Sequence, residues 1–468
     1  MKNTFLKRFV GDRAFYKMVI AVALPIMLQN GISNFVSLLD NVMIGSLGSV
    51  QLSAVSIANQ LIFVYQLCVF GAVSGAGIFT AQYHGSGDEE GVRHSMRIKV
   101  WVCLILTAVA AAVFLLFGKE LISLWLNDTA HPEEVERTLA EGYRYLALIV
   151  IGLLPQGLAQ CYADTLRSTG ETVMPMRASL VALFVNMGLN WLFIFPHFGG
   201  FGWGVVGAAI ATVIARFTEC AVLIIGSHRL PWKYPFTKGL YRTMRVPMKI
   251  VRTVLVTGLP LMLNESFWGL GMTMLNRGYS LRGLIAVEAT SISSTITNIF
   301  QIAIMALGSS VGIIIGNTLG SGDLKKARDY DNKLVAFSTV TGFVVGGLLA
   351  ACADLMTLPY NVSAETAAAA AALMRITALF MPFVGFLHAV YFTLRSGGKT
   401  VITMLFDSVT MWALLVPINL IVGHFTDIPL IPFYFLCQLP DLPKAVLGFI
   451  LVKKDIWLQD LVGGDKKP

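Results

Sequence analysis

The sequence predicts an all-α polytopic membrane protein of twelve transmembrane helices in two parallel six-helix repeats. Three observations carry this. The chain is 56% hydrophobic and only 13% charged, where soluble domains hold roughly 25% charged residues. Its apolar runs alternate with loops that are rich in Lys and Arg on one side of the membrane and nearly bare of them in most loops on the other. And its motifs recur at a fixed distance in the second half.

A transmembrane helix needs about 20 apolar residues. Twelve segments satisfy that: 17–39, 52–79, 98–117, 139–162, 174–195, 203–226, 252–274, 286–315, 334–354, 370–392, 401–423 and 429–452. The basic start (Lys2, Lys7, Arg8, Arg13, Lys17) runs into the first span with no A-x-A-like cleavage site, so that helix is expected to be retained. Loops on one side carry Arg93, Arg97 and Lys99; Arg167 and Arg177; Lys325, Lys326, Arg328 and Lys333; Arg395 and Lys399; and Lys453, Lys454, Lys466 and Lys467. Loops 40–51, 196–202 and 424–428 have no Lys or Arg, and loop 118–138 is acidic (Glu120, Asp128, Glu133, Glu134, Glu136). The positive-inside rule then puts both termini in the cytoplasm. The net charge of +8 is explained by these loops, and no basic domain for nucleic acid is present. Cys68, Cys103, Cys161, Cys220, Cys352 and Cys437 stand singly in apolar segments, without metal or redox spacing.

Leu24-Pro25 recurs as Leu259-Pro260, and Gly85-Ser86-Gly87-Asp88 as Gly320-Ser321-Gly322-Asp323, each 235 residues on. Thr165-Leu166-Arg167-Ser168 recurs as Thr393-Leu394-Arg395-Ser396, 228 residues on, so one outer loop is shorter in the second copy. An even number of spans per copy makes the repeats parallel, with a binding site expected between them. The expected domains are an N-terminal lobe 1–226, a basic linker 227–251 and a C-terminal lobe 252–468. The linker also reads as a patch for lipid headgroups.

Charge inside the spans is the functional signal. A carboxylate in a bilayer segment usually faces a water-filled cavity and marks an ion or substrate path. Asp40 stands in the first repeat where the second has Leu275, and Glu265 in the second where the first has Asn30. Ser33, Ser37 and Asp40 share a helix face, as do Asn186 and Asn190. Asp40, Asn186, Asn190 and Thr212 therefore form a candidate cation site. Hard oxygen ligands suit Na⁺, and the carboxylate alone suits H⁺. Each amide or hydroxyl taken singly reads equally as a bond between helices. Glu265 beside Phe267 and Trp268 suits an organic cation, by charge and by cation–π attraction, while Trp268 alone reads as packing. Asp164/Arg167 and Arg216/Glu219 read as structural or gating charges towards the cytoplasmic ends. Asp407, Trp412 and Pro417 read as structural, and His388 as a hydrogen-bonded bundle residue. There is no phosphate-binding loop and no catalytic constellation. The reading is of a transporter that is not an enzyme, needs no cofactor, and uses no metal beyond a Na⁺ at Asp40.

The motifs resemble those of the multidrug and toxic compound extrusion (MATE) family. They are the Leu-Pro of the first span, DNVMIG from Asp40 to Gly45, the GSGD loop, LRSTG closing the fourth span, and NMGLNWLFIFPHFGGFGWGVVGAAIAT from Asn186 to Thr212. The resemblance implies two six-helix lobes in a V. It implies export of organic, often cationic compounds in exchange for Na⁺ or H⁺, by a monomer in the cell (plasma or inner) membrane of a bacterium. By resemblance Asp40 is the first-lobe acid, Asn186, Asn190 and Thr212 surround its cation site, and Glu265 is the seventh-helix acid. Where some members carry a second aspartate in the fifth helix this chain has Asn190, and 370–392 holds no acid. A flippase for lipid-linked precursors, with a similar two-lobe plan, is the alternative.

Overall fold

The computed structural model describes residues 8–126, 132–196 and 201–463. Lys2, Lys7, Asp128, Lys466 and Lys467, which the orientation argument uses, lie outside them. The fold is all-helical: α1 Arg13–Gly45, α2 Ser49–Gly85, α3 Glu89–Ser123, α4 Pro132–Ser168, α5 Val173–Ile194, α6 Gly204–His228, α7 Met248–Ser280, α8 Leu284–Gly320, α9 Leu324–Thr357, α10 Ala364–Ser396, α11 Thr400–Phe425 and α12 Leu430–Lys453. Among the described residues eleven of these are long and apolar enough to cross a membrane. The twelfth, α7, has the length too, but carries Asn264 and Glu265 at its midpoint and Arg252 and Arg277 towards its ends.

Each expected span lies inside one of these helices, or within one residue of its ends. Several helices run on well past the apolar stretch. α3 begins at Glu89 and α9 at Leu324, because Glu89–Lys99 and Leu324–Lys333 are good helix formers that are too polar to register as membrane. A 37-residue helix such as α2 is about 55 Å long, against a hydrocarbon core of about 30 Å. Leu116, Phe117, Ile105 and Val109 on α3 are exposed although apolar, as are Val340, Phe343, Val344 and Leu348 on α9. These stripes face lipid.

The repeat is visible in the turns. Gly87 and Gly322 have φ of +75° and +78°, a left-handed conformation that a side chain resists. Gly85 and Gly320 are needed for a different reason. A Cβ on Gly85 would sit 2.0 Å from the Asn317 carbonyl, and one on Gly320 would sit 1.9 Å from the Gln82 carbonyl. These are the same contact made twice, because Gln82 and Asn317 are themselves repeat-equivalent. The ends of α2 and α8 thus meet with the glycine of each against a carbonyl of the other.

The chain divides into two compact units, which among the described residues hold 8–27, 81–88 and 259–463 in one, and 28–80 and 89–258 in the other. They follow the expected lobes except at three places. Residues 8–27 and 81–88 join the second half, and 252–258, with the linker, join the first. Both first helices change unit beside their Leu-Pro: α1 two residues after Pro25, α7 just before Pro260. Phe15, Val19 and Ala23 are accordingly buried with Leu307, Val311 and Trp457. Gly75 of α2 packs so closely on Gly258 of α7 that a Cβ would fall 2.4 Å from its Cα.

The linker is folded onto its own unit. Arg97 at the start of α3 donates to the carbonyls of Leu240 (3.0 Å), Gly239 (3.1 Å) and Arg245 (3.4 Å), and Trp101 Nε1 to that of Met244 (3.0 Å). Tyr234, Phe236 and Leu240 are buried beneath it.

Candidate functional site

In the unit of 28–80 and 89–258, α1, α4, α5 and α6 bring their polar residues together. Asn190 Nδ2 donates to Asp40 Oδ1 at 2.5 Å and to Asn186 Oδ1 at 3.1 Å. Asn190 and Asn186 are 1% and 3% exposed, so the amides serve the interior. The Asn190 carbonyl oxygen is buried and has no hydrogen-bond partner, which is costly in a bundle. Thr212 joins this group through Tyr145, whose hydroxyl it borders, and Tyr145 also reaches Asn59 Oδ1 at 3.5 Å. Ser33 and Ser37 turn back on their own helix, to the carbonyls of Gln29 and Ser33. The expected four-residue cluster is therefore an Asp40–Asn190–Asn186 chain with Thr212 one residue removed.

Arg216 is the residue that sequence reasoning placed elsewhere. It packs on Gly152 of α4, where a Cβ would meet its Cδ at 3.1 Å. Its charge faces Tyr145, Tyr65, Glu219 and Asp40. It lies at the edge of the Asp40 group, and one guanidinium nitrogen, Nη1, is buried without a hydrogen-bond partner. Glu219 instead accepts from Ser179 Oγ at 2.6 Å, and Ser179 accepts from Gln29 Nε2 at 3.0 Å. The expected Asp164/Arg167 pairing also changes partner. Lys99, fully buried, makes the ion pair with Asp164 at 2.8 Å and donates to Thr165 at 2.9 Å. Arg167 turns its Nε to the Ala163 carbonyl of its own helix.

In the other unit the acids gather at α7, α10, α11 and α12. Glu265 Oε1 accepts from the Tyr391 hydroxyl at 3.1 Å. Its neighbour Asn264 donates to Asp407 Oδ2 at 3.1 Å and accepts from Ser408 at 2.7 Å. Lys444 Nζ lies 2.6 Å from Asp407 Oδ1. Asp407, Ser408 and Trp412 belong to a π-helical stretch of α11, Leu405–Leu415, and such wide turns are frequent at functional sites. The structural reading of Asp407 thus becomes part of the Glu265 network. Trp268 is 40% exposed, and among the described residues no hydrogen bond or ring contact joins it to Glu265. Its neighbour Phe267 is engaged instead: the Trp412 indole donates to the Phe267 carbonyl at 3.0 Å, ring edge to ring face. His388 Nδ1 donates to the Val384 carbonyl at 3.0 Å, within its own helix.

The model of the MatE family matches residues 25–192 and 261–421, one stretch in each half. The chain belongs to the MATE family of transporters. A probable multidrug resistance protein NorM of Thermotoga maritima is 22% identical, over 89% of this chain and 87% of that protein. A probable multidrug resistance protein YoeA of Bacillus subtilis is 21% identical, over 87% of each. Among solved structures, an outward-facing multidrug resistance MATE transporter has a TM-score of 0.83 at 19% identity, covering 97% of this chain and 98% of that one. An Asp-to-Asn mutant of the Vibrio cholerae MATE transporter VcmN has a TM-score of 0.82 at 18% identity, covering 95% and 99%. The fold of this MATE chain is thus the one those structures share.

Proposed function

We propose that this chain is a secondary active exporter of organic, often cationic compounds, driven by exchange for Na⁺ or H⁺ at Asp40. The observation that carries the reading is the unpartnered carbonyl of Asn190 beside that carboxylate. In the resting arrangement the amide offers Asp40 its N–H. A cation at Asp40 neutralises the acid and gives the amide reason to turn, presenting its oxygen as a ligand. A proton does the first half of this without the second. In either case the ion moves the transport equilibrium only by its differential affinity for the two access states. Glu265, with Phe267 and Trp268, is the proposed seat for an organic cation. The protein is proposed to act as a monomer in the cell (plasma or inner) membrane of a bacterium, with both termini cytoplasmic.

The test is ethidium efflux from proteoliposomes under Na⁺ and pH gradients imposed separately. Asp40→Asn is expected to bring efflux down to the leak of protein-free vesicles under both. Full efflux by that variant, at equal reconstitution, removes Asp40 from the mechanism. The flippase reading draws on the exposed basic residues of the linker. Movement of a fluorescent lipid-linked pyrophosphate in the same vesicles, with no ethidium efflux, would favour it.

A further inference from the structure

The two repeats solve the same joint differently. By the 235- and 228-residue offsets Gln29 corresponds to Asn264, Ser179 to Asp407 and Arg216 to Lys444. Gln29 donates to Ser179 at 3.0 Å in one unit, and Asn264 to Asp407 at 3.1 Å in the other. In the first joint the amide meets a hydroxyl, itself bonded to Glu219 at 2.6 Å; in the second it meets the carboxylate directly. The basic residue follows suit. Arg216 leaves Nη1 unpartnered, while Lys444 places Nζ 2.6 Å from Asp407.

We infer that Lys444 is a built-in counter-cation, occupying at Asp407 the place an external monovalent cation would take. Both Asp407 oxygens are used, Oδ1 by Lys444 and Oδ2 by Asn264, and the Asn264 oxygen is held by Ser408. Each Asp407 oxygen thus already faces a donor, and Lys444 supplies the positive charge that a bound monovalent cation would bring. The groups facing this pair are His388, Asp441, Glu265 and Tyr391, and Glu265 is capped by the Tyr391 hydroxyl. At Asp40 the opposite holds: among the described residues its hydrogen bond comes from one amide, whose own oxygen is unpartnered. Asp407 is therefore closed to an external Na⁺ or H⁺, Glu265 remains the seat proposed above for the organic cation, and one coupling ion binds per chain. Lys444 is the residue that decides this number.

The count of one rests on the reading of Asp40 above; the role of Lys444 does not. The experiment measures ²²Na⁺ binding and proton uptake by purified full-length protein, in the Asp40→Asn background and in the native one. Lys444→Gln is expected to add one Na⁺ or H⁺ per chain in both, and Lys444→Gln with Asp407→Asn to add none. The double variant also shows that the protein folds without the pair. Two results overturn the inference: cation binding by the parent protein that Asp407→Asn abolishes, or a folded Lys444→Gln variant that binds no further cation. If Asp40→Asn leaves binding unchanged while Lys444→Gln still adds a site removed by Asp407→Asn, the Asp40 reading fails and this one stands.

Discussion

Lys99 and Asp164 form a buried ion pair whose repeat equivalents are Leu334 and Phe392. Both solutions fill the same space. A Cβ on Gly77 would meet Asp164 at 2.8 Å, and one on the equivalent Gly312 would meet Phe392 at 3.0 Å. Removing one member of a buried pair costs about 3–5 kcal/mol, because the other charge is stranded, while replacing both with apolar residues is often neutral. Lys99→Leu alone is thus expected to lower the unfolding temperature strongly in detergent. Lys99→Leu with Asp164→Phe, which copies the second repeat, is expected to recover most of the loss. Thermal unfolding of the three proteins decides it, and a double variant no better than the single rejects the equivalence. The same residues mark how far the sequence could be read at this scale. Asp40, Asn186 and Asn190 were legible because a charge or a spaced amide pair is rare in an apolar helix. Asp164 was assigned its nearest base in sequence, Arg167, whereas the partner lies on another helix. Asp407 reads as structural from the sequence because its two partners are 143 and 37 residues away. Pairing between helices is a matter of rotation about each axis, which the pattern of one helix does not contain.

The linker is the element whose behaviour the sequence described least. Its basic charge reads as a connection between lobes or a headgroup patch, and Arg97 and Trp101 bind four of its carbonyls. A second fastening is Glu171, in the turn after α4, which accepts from Lys233 at 2.5 Å and from Tyr234 at 3.0 Å. Burial alone would raise the Glu171 pKa. The Lys233 and Tyr234 hydrogen bonds, with the Met174 N–H, outweigh it and hold the pKa below the ordinary 4.5. Lys233 is raised in turn, chiefly by its bond to Glu171. For a carboxylate lowered in the folded state, the stabilisation is present above the unfolded value and lost as pH falls through the folded one. Linker docking should therefore be constant from neutral pH down to about 4.5 and weaken below it. Glu171→Gln should loosen the linker already at pH 7 and remove the acid dependence. Hydrogen exchange of the 230–247 amides across that range is the measurement, and a linker equally protected in Glu171→Gln counts against the fastening.

At the scale of the whole molecule, the helix count, the parallel repeats and the membrane class were all readable. Twelve apolar runs, one-sided basic loops and repeated turns each depend on local composition, and helices in lipid must satisfy their own backbone. The unit boundaries were not readable, since they depend on which helix ends pack together over hundreds of residues. The passage of α1 and α7 between units at their Leu-Pro has a bearing on how the chain is made. Residues 13–27 enter the membrane first, yet the core that buries Phe15 and Val19 includes Trp457, among the last residues described. Synthesis therefore leaves the opening turns of α1 waiting until the second repeat has been made. A chain stopped after residue 247 is expected to remain open to protease over 13–27, and co-expression with 248–468 to close it. A truncated chain already protected there would show that α1 finds a temporary partner of its own. The first helix to emerge is in this sense the last to be finished, and its apolar face must be shielded by lipid or by the insertion machinery until the second repeat arrives.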